Sequence, residues 1–129
     1  MVILLVEPDL ALAKIYEQLL QHKGHDVVIA TSAQEAIIQS DIKTPDLLIC
    51  ELQLICHSGI ELLYEFRSYP EWQKIPVIIH STVPYAEFSG SRYGLTEELG
   101  ISSYLYKPNT NLRQLLSSVE EVLLDYESA

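Results

Sequence analysis

Four short stretches place side chains capable of polar chemistry directly after apolar runs: Glu7-Pro8-Asp9, Glu51, Ser81 and Lys107-Pro108. Brought together, carboxylates, a hydroxyl and an ammonium group form either a partly buried ion-pair cluster or a site for a phosphate and a divalent cation. Cys56, His57 and His80 form a weaker set. Their spacing fits no recognised zinc pattern, so the expected reading is ordinary packing and metal binding is not expected.

The elements that must position these groups follow from the apolar pattern. Runs at residues 2–6, 26–30, 46–50, 76–80 and 103–106 read as five strands. Between the first two, Leu12, Ile15, Tyr16, Leu19 and Leu20 recur at helical spacing, with Gly24 where a helix would stop. Ser32 with Glu35, and Ser58 with Glu61, have the form of capping boxes opening two further helices. The second of these carries Ile60, Leu63, Tyr64 and Phe66 and should end before Pro70. Residues 82–99, interrupted by Pro84, Gly90 and Gly94, suggest a short or distorted helix. Residues 110–126 present one apolar stripe, with Leu112, Leu115, Leu116, Val119, Val122 and Leu123.

Strands alternating with helices predict an α/β fold, a single doubly wound five-stranded parallel sheet with helices on both faces. In such a sheet ligands sit beyond the carboxyl ends of the strands, where all four polar stretches fall. A chain of 129 residues suits one core, expected over residues 1–126, with 127–129 as a tail or the start of a linker.

A net charge of −10 and only eight Lys and Arg, spread along the chain, argue against direct nucleic-acid binding by this domain. No run approaches the roughly 18 apolar residues that span a bilayer, and no signal-peptide pattern opens the chain. A cytoplasmic location without membrane contact is the expectation. Cys50 lies in an apolar run and reads as a buried free thiol, not half of a disulfide.

In order and spacing, residues 3–9, 45–51 with Gly59 downstream, 76–81 and 104–108 resemble the receiver domain of two-component response regulators across essentially the whole chain. The resemblance implies a flavodoxin-like strand order 2-1-3-4-5. In that family an aspartate after strand 3 is phosphorylated, and an acidic pair after strand 1 helps hold magnesium. A strand 4 Ser or Thr and a strand 5 lysine contact the phosphoryl group. Here the acceptor position is Glu51, the acidic pair is Glu7 and Pro8, and the hydroxyl and lysine are Ser81 and Lys107. Tyr104 matches the family's switch aromatic, and Pro108 is expected to follow a cis peptide bond.

Two departures bear on function. Pro8 has no side-chain oxygen for a hard cation, and Asp9, one residue on, could replace it only if the loop bent differently. Glu51 is longer than aspartate by a methylene, which moves its carboxylate by about 1.5 Å. Weak or absent magnesium binding and a non-enzymatic module are therefore expected, a pseudo-receiver working through a protein partner. That partner would be a sensor kinase, an output protein or a second receiver.

Two readings of Glu51 stay open, a residual ion pair with Lys107 and a partial mimic of the phosphorylated state. A conventional phosphorylatable receiver, and the regulatory half of a transcription factor, are the competing functions. Tyr85, Phe88, Tyr93, Tyr104 and Tyr106 mark an aromatic region suited either to an interface or to packing on the sheet. The approach to strand 5, Gly100-Ile101-Ser102-Ser103, lacks the charges of the family's usual dimer, so monomer and dimer are both open.

Overall fold

A computed structural model describes residues 1–91 and 95–128, with backbone alone at 89–91, 95 and 126–128; Tyr93 lies outside the described residues. Its strands are β1 (Val2–Val6), β2 (Asp26–Ala30), β3 (Leu47–Cys50), β4 (Val77–Ser81) and β5 (Ile101–Tyr106). The helices are α1 (Leu10–His22), α2 (Ala33–Ile42), α3 (Gly59–Ser68), α4 (Tyr85–Ser91), α5 (Leu95–Leu99) and α6 (Leu112–Ser128). The strands form one parallel sheet in the order β2-β1-β3-β4-β5.

The near-continuous apolar composition of β1, β3 and β4 follows from burial on both faces. Leu4, Val6, Leu48, Val77 and Ile79 pack into one core with Leu62, Leu63 and Phe66 of α3. Ile3, Leu5, Leu47, Ile49 and Ile78 form the other with Leu20 of α1 and Leu115 and Val119 of α6. A one-residue slip would exchange these two sets, so the pattern fixes register. The ladder runs one residue past two strand ends, Glu7 N–H donating to Ala30 O and Glu51 N–H to Val6 O, both at 3.0 Å. Both glutamates are thereby held at the carboxyl edge.

Helix ends are set by side chains that satisfy otherwise orphaned N–H groups. Ser32 accepts from Glu35 N–H at 3.1 Å, and Ser58 and Glu61 complete a reciprocal box. Asn111 and Gln114 exchange a similar pair at 2.8 Å to open α6. That helix runs to Ser128. At the other end of α1, Gly24 takes a φ of 89°, and its N–H donates to Gln21 O.

Over residues 82–99, where a short or distorted helix was expected, the described residues are helical at Tyr85–Ser91 (α4) and Leu95–Leu99 (α5). Pro84 precedes α4, its carbonyl accepting from Glu87 and Phe88 N–H, so its missing donor costs nothing there. The start of β5 is held by Arg67, whose guanidinium donates to Leu99 O and Trp72 O at 2.8 Å and to Gly100 O at 3.2 Å.

The expected cis bond before Pro108 is a correction: no peptide among the described residues is cis. Lys107–Asn109 instead form a 3-10 turn with Pro108 in its first positions, closed by Thr110 N–H to Lys107 O at 3.1 Å. Proline's fixed φ suits that position, and the trans form is intrinsically favoured by about 0.5–1 kcal/mol.

Gly59 opens α3 against the chain leaving β3, its N–H donating to Leu52 O at 2.7 Å. A Cβ there would lie 2.7 Å from both Glu51 O and Leu52 Cα, backbone atoms that cannot yield alone. Gly59→Ala should therefore cost about 1–3 kcal/mol in urea unfolding. A variant as stable as wild type would show that the β3–α3 junction relaxes freely.

Candidate functional site

The carboxyl edge brings together four residues singled out in the sequence. Lys107 reaches back from the end of β5 and donates to Glu7 Oε1 at 2.5 Å and Glu51 Oε1 at 2.8 Å. Glu7, Glu51 and Ser81 are all buried. Ser81 Oγ–H donates to Glu51 Oε2 in a short hydrogen bond.

Backbone donors complete the shell. Gln53 N–H donates to Glu51 Oε2 at 3.1 Å, Thr82 N–H to Glu51 Oε1 at 3.3 Å, and Asp9 N–H to Glu7 Oε2 at 3.1 Å. All four carboxylate oxygens of the pair thus accept a protein donor. Burial alone would raise the Glu51 pKa, but bonds from Lys107, Ser81 and Gln53 outweigh it and hold it below the usual value. For Lys107 burial alone would lower the pKa, and the two carboxylates raise it instead.

The side chain of Asp9 stands apart from this cluster. Its Oδ1 accepts from Leu12 N–H at 3.2 Å, capping α1. An acidic residue immediately before a helical apolar pattern was the available signal for that role. Pro8 brings no side-chain oxygen to the edge. The contributions of Gln53 and Thr82 had no such signal, because they come from main-chain N–H groups that every residue but proline carries.

The cluster is continuous with Tyr104. Ser81 Oγ also accepts from Val83 N–H at 3.0 Å, and Val83 O accepts from the Tyr104 hydroxyl at 2.6 Å. Burial pushes the Tyr104 pKa up to about 12, so the phenol remains a donor. Its ring packs against Tyr85 and Phe88, with centroids 5.1 and 5.2 Å away. Phe88 is core, whereas Tyr85 is half exposed, so the aromatic region serves packing and surface together.

The Cys56, His57 and His80 set is not assembled. His57 pairs with Glu61 at 3.5 Å, while His80 packs edge-on against Tyr16, centroids 5.0 Å apart. Among the described residues no group of three His, Cys, Asp or Glu is placed to hold a metal. Cys50 is a buried free thiol whose pKa burial pushes up, and Cys56 is free and exposed.

A family model for the response regulator receiver domain matches residues 3–120. The chain belongs to that family. This receiver is 28% identical over 127 residues to the alkaline phosphatase synthesis transcriptional regulatory protein PhoP of Bacillus subtilis, covering 98% of the chain and 50% of PhoP. It is 31% identical over 121 residues to the phosphate regulon transcriptional regulatory protein PhoB of Rhizobium meliloti, covering 94% and 51%. The chain thus spans about half the length of these relatives. A CheY-like receiver domain protein from Methanospirillum hungatei superposes with a TM-score of 0.86 at 26% identity, over 98% of this chain and 96% of that one. The domain is a receiver of two-component signalling, and no described helix is long and apolar enough to cross a membrane.

Two measurable consequences follow from the charges. Lys107→Met leaves two buried carboxylates without their shared cation, which should cost about 3–5 kcal/mol at pH 7. Without Lys107, which helps hold the Glu51 pKa down, Glu51 takes up a proton more readily in the folded chain, so the deficit should shrink as pH falls toward the carboxylate range. Urea titrations at several pH values read this directly, and a pH-independent deficit would contradict it.

His80 behaves oppositely. Burial, then the Lys107 charge, lower its pKa to about 4, so as pH falls from about 6.5 toward 4 the unfolded chain takes up a proton first. Stability should drop by at most about 1.4 kcal/mol per pH unit in that window. His80→Leu should lose this limb, while His25, also lowered by burial, remains in both proteins and cancels in the comparison.

Proposed function

We propose that this receiver signals through protein–protein contact without being phosphorylated, the Glu51 carboxylate standing where other members carry a phosphoryl group. The observation that carries this reading is the full occupancy of that carboxylate. Ser81 and Lys107, whose family counterparts contact a phosphoryl group, both bind it, joined by Gln53 and Thr82 N–H. One carboxylate brings a single negative charge where a phosphoryl group brings up to about two. Sharing Lys107 with Glu7 lets that smaller charge suffice.

The same donor set disfavours magnesium, whose octahedral shell needs free oxygen ligands. The Glu7 and Glu51 oxygens are committed, the ammonium of Lys107 lies between them, Asp9 caps α1, and Pro8 offers nothing. We accordingly assign the module no cofactor and no catalytic step of its own. It acts in the cytoplasm on a sensor kinase, an output protein or another receiver, and its acidic charge keeps it off nucleic acid.

A second reading concerns the setting and is favoured by the relatives, transcriptional regulatory proteins of which the chain spans about half. On that reading the locked receiver is the regulatory part of a transcription factor and its partner is an output domain.

Incubation with a small acyl-phosphate donor and magnesium, read by intact mass, tests the proposal. Wild type should gain no phosphoryl group. Glu51→Asp restores the acceptor's reach but not the metal ligand, and Pro8→Asp does the reverse, so each single variant should label to less than about one tenth of the double. Stoichiometric labelling of wild type, lost in Glu51→Gln, would overturn the proposal. In Glu51→Gln the Thr82 and Val83 amides should exchange with solvent at least about tenfold faster, since the charge that holds Ser81 is gone.

A further inference from the structure

Away from the Glu51 cluster, α2 and α3 leave between them an open groove of about 530 Å³. Its apolar lining comes from Ala33, Ile37, Ile38 and Leu62, and its rim from His57, Glu61 and Glu65. Ile38 is 50% exposed, and Ile42, one turn further along α2, is 73% exposed. Isolated exposed apolar residues are ordinary, but Ile38 exposed within an apolar concave groove, with Ile42 exposed one turn on, marks a contact surface.

Charge selects the occupant. Acids on the two helices are Glu35, Asp41, Glu61 and Glu65, against a single cation, Arg67. That cation is spent on the carbonyls of Leu99, Gly100 and Trp72. Lys43, just past α2, is paired with Asp26. A second copy of a chain carrying −10 would set acid against acid. The ten residues of α2 give the groove a length near 15 Å, which about three turns of a partner helix cover.

We propose that the α2–α3 groove docks an amphipathic helix of a partner protein, its apolar residues at helical spacing seated on Ile37, Ile38 and Leu62 and its flanking Lys or Arg facing Glu61 and Glu65. This contact does not depend on Glu51, so it stands or falls separately from phosphorylation independence.

A display library of randomised helical peptides, selected on the full chain and counter-selected on Ile38→Glu, provides the test. Enriched peptides should combine apolar residues at three- and four-residue spacing with Lys or Arg. They should bind Ile38→Glu and Glu65→Lys at least about tenfold more weakly, with unchanged urea unfolding of both variants, and bind Glu51→Gln like wild type. Amide chemical-shift changes should map to α2 and α3. Enrichment indifferent to Ile38, shifts centred on Tyr104, or no enrichment would overturn the proposal. A concentration-dependent dimer abolished by Ile38→Glu would do so as well, by making the groove a self-interface.

Discussion

The carboxyl edge of this receiver depends on one ammonium group held between two buried carboxylates. Taking three charges out of water is costly, and their mutual attraction offsets that cost only when every remaining polar atom finds a partner. Here Lys107 neutralises one of the two negative charges, while Ser81 and three main-chain N–H groups disperse the other. The sheet makes this possible, because parallel register brings the ends of β1, β3, β4 and β5 to one edge. From the end of β3 the Glu51 carboxylate then meets donors from Ser81 on β4 and from Lys107 just past β5.

The path from that charge to the surface is short and made of directional bonds. Ser81 donates to Glu51 and accepts from Val83, and Val83 accepts from Tyr104, whose ring closes on Phe88 and Tyr85. A phosphoryl group would bias such an arrangement reversibly, whereas a side chain biases it for the life of the protein. On the proposed function, the position of Tyr104 is then a property of the sequence and not of a signal.

Much of this is legible in the sequence. The apolar runs gave the strand order through the family resemblance, and Ser32, Ser58, Pro70 and Gly24 marked helix ends through local chemistry. Glu7, Glu51, Ser81 and Lys107 were placed together because strand ends of a parallel sheet converge. What escaped was what residue type does not encode. Gln53 and Thr82 act through main-chain N–H groups, and Arg67 through three carbonyls brought near it only by tertiary folding. The bond before Pro108 followed the local 3-10 turn and not the family expectation. The groove was hidden for a related reason: α2 carries isoleucines on more than one side, so periodicity alone did not separate Ile38 and Ile42 from core.

On the proposed function the Tyr104 position is fixed, so regulation must be drawn from elsewhere, and population arithmetic limits where. A ligand that binds two conformations equally shifts neither, however tightly it binds. The lining of the α2–α3 groove includes none of Ser81, Val83 and Tyr104, so a helix seated there would add affinity without contacting the Tyr104 face. It would act as an anchor, raising the local concentration of whatever the Tyr104 face contacts. Tethering multiplies weak contacts when both can be engaged at once, so a modest Tyr104 surface would suffice for a specific partner. The two halves of the molecule would then divide the work, with the Glu51 edge setting which surface is offered and the groove setting how long the partner stays.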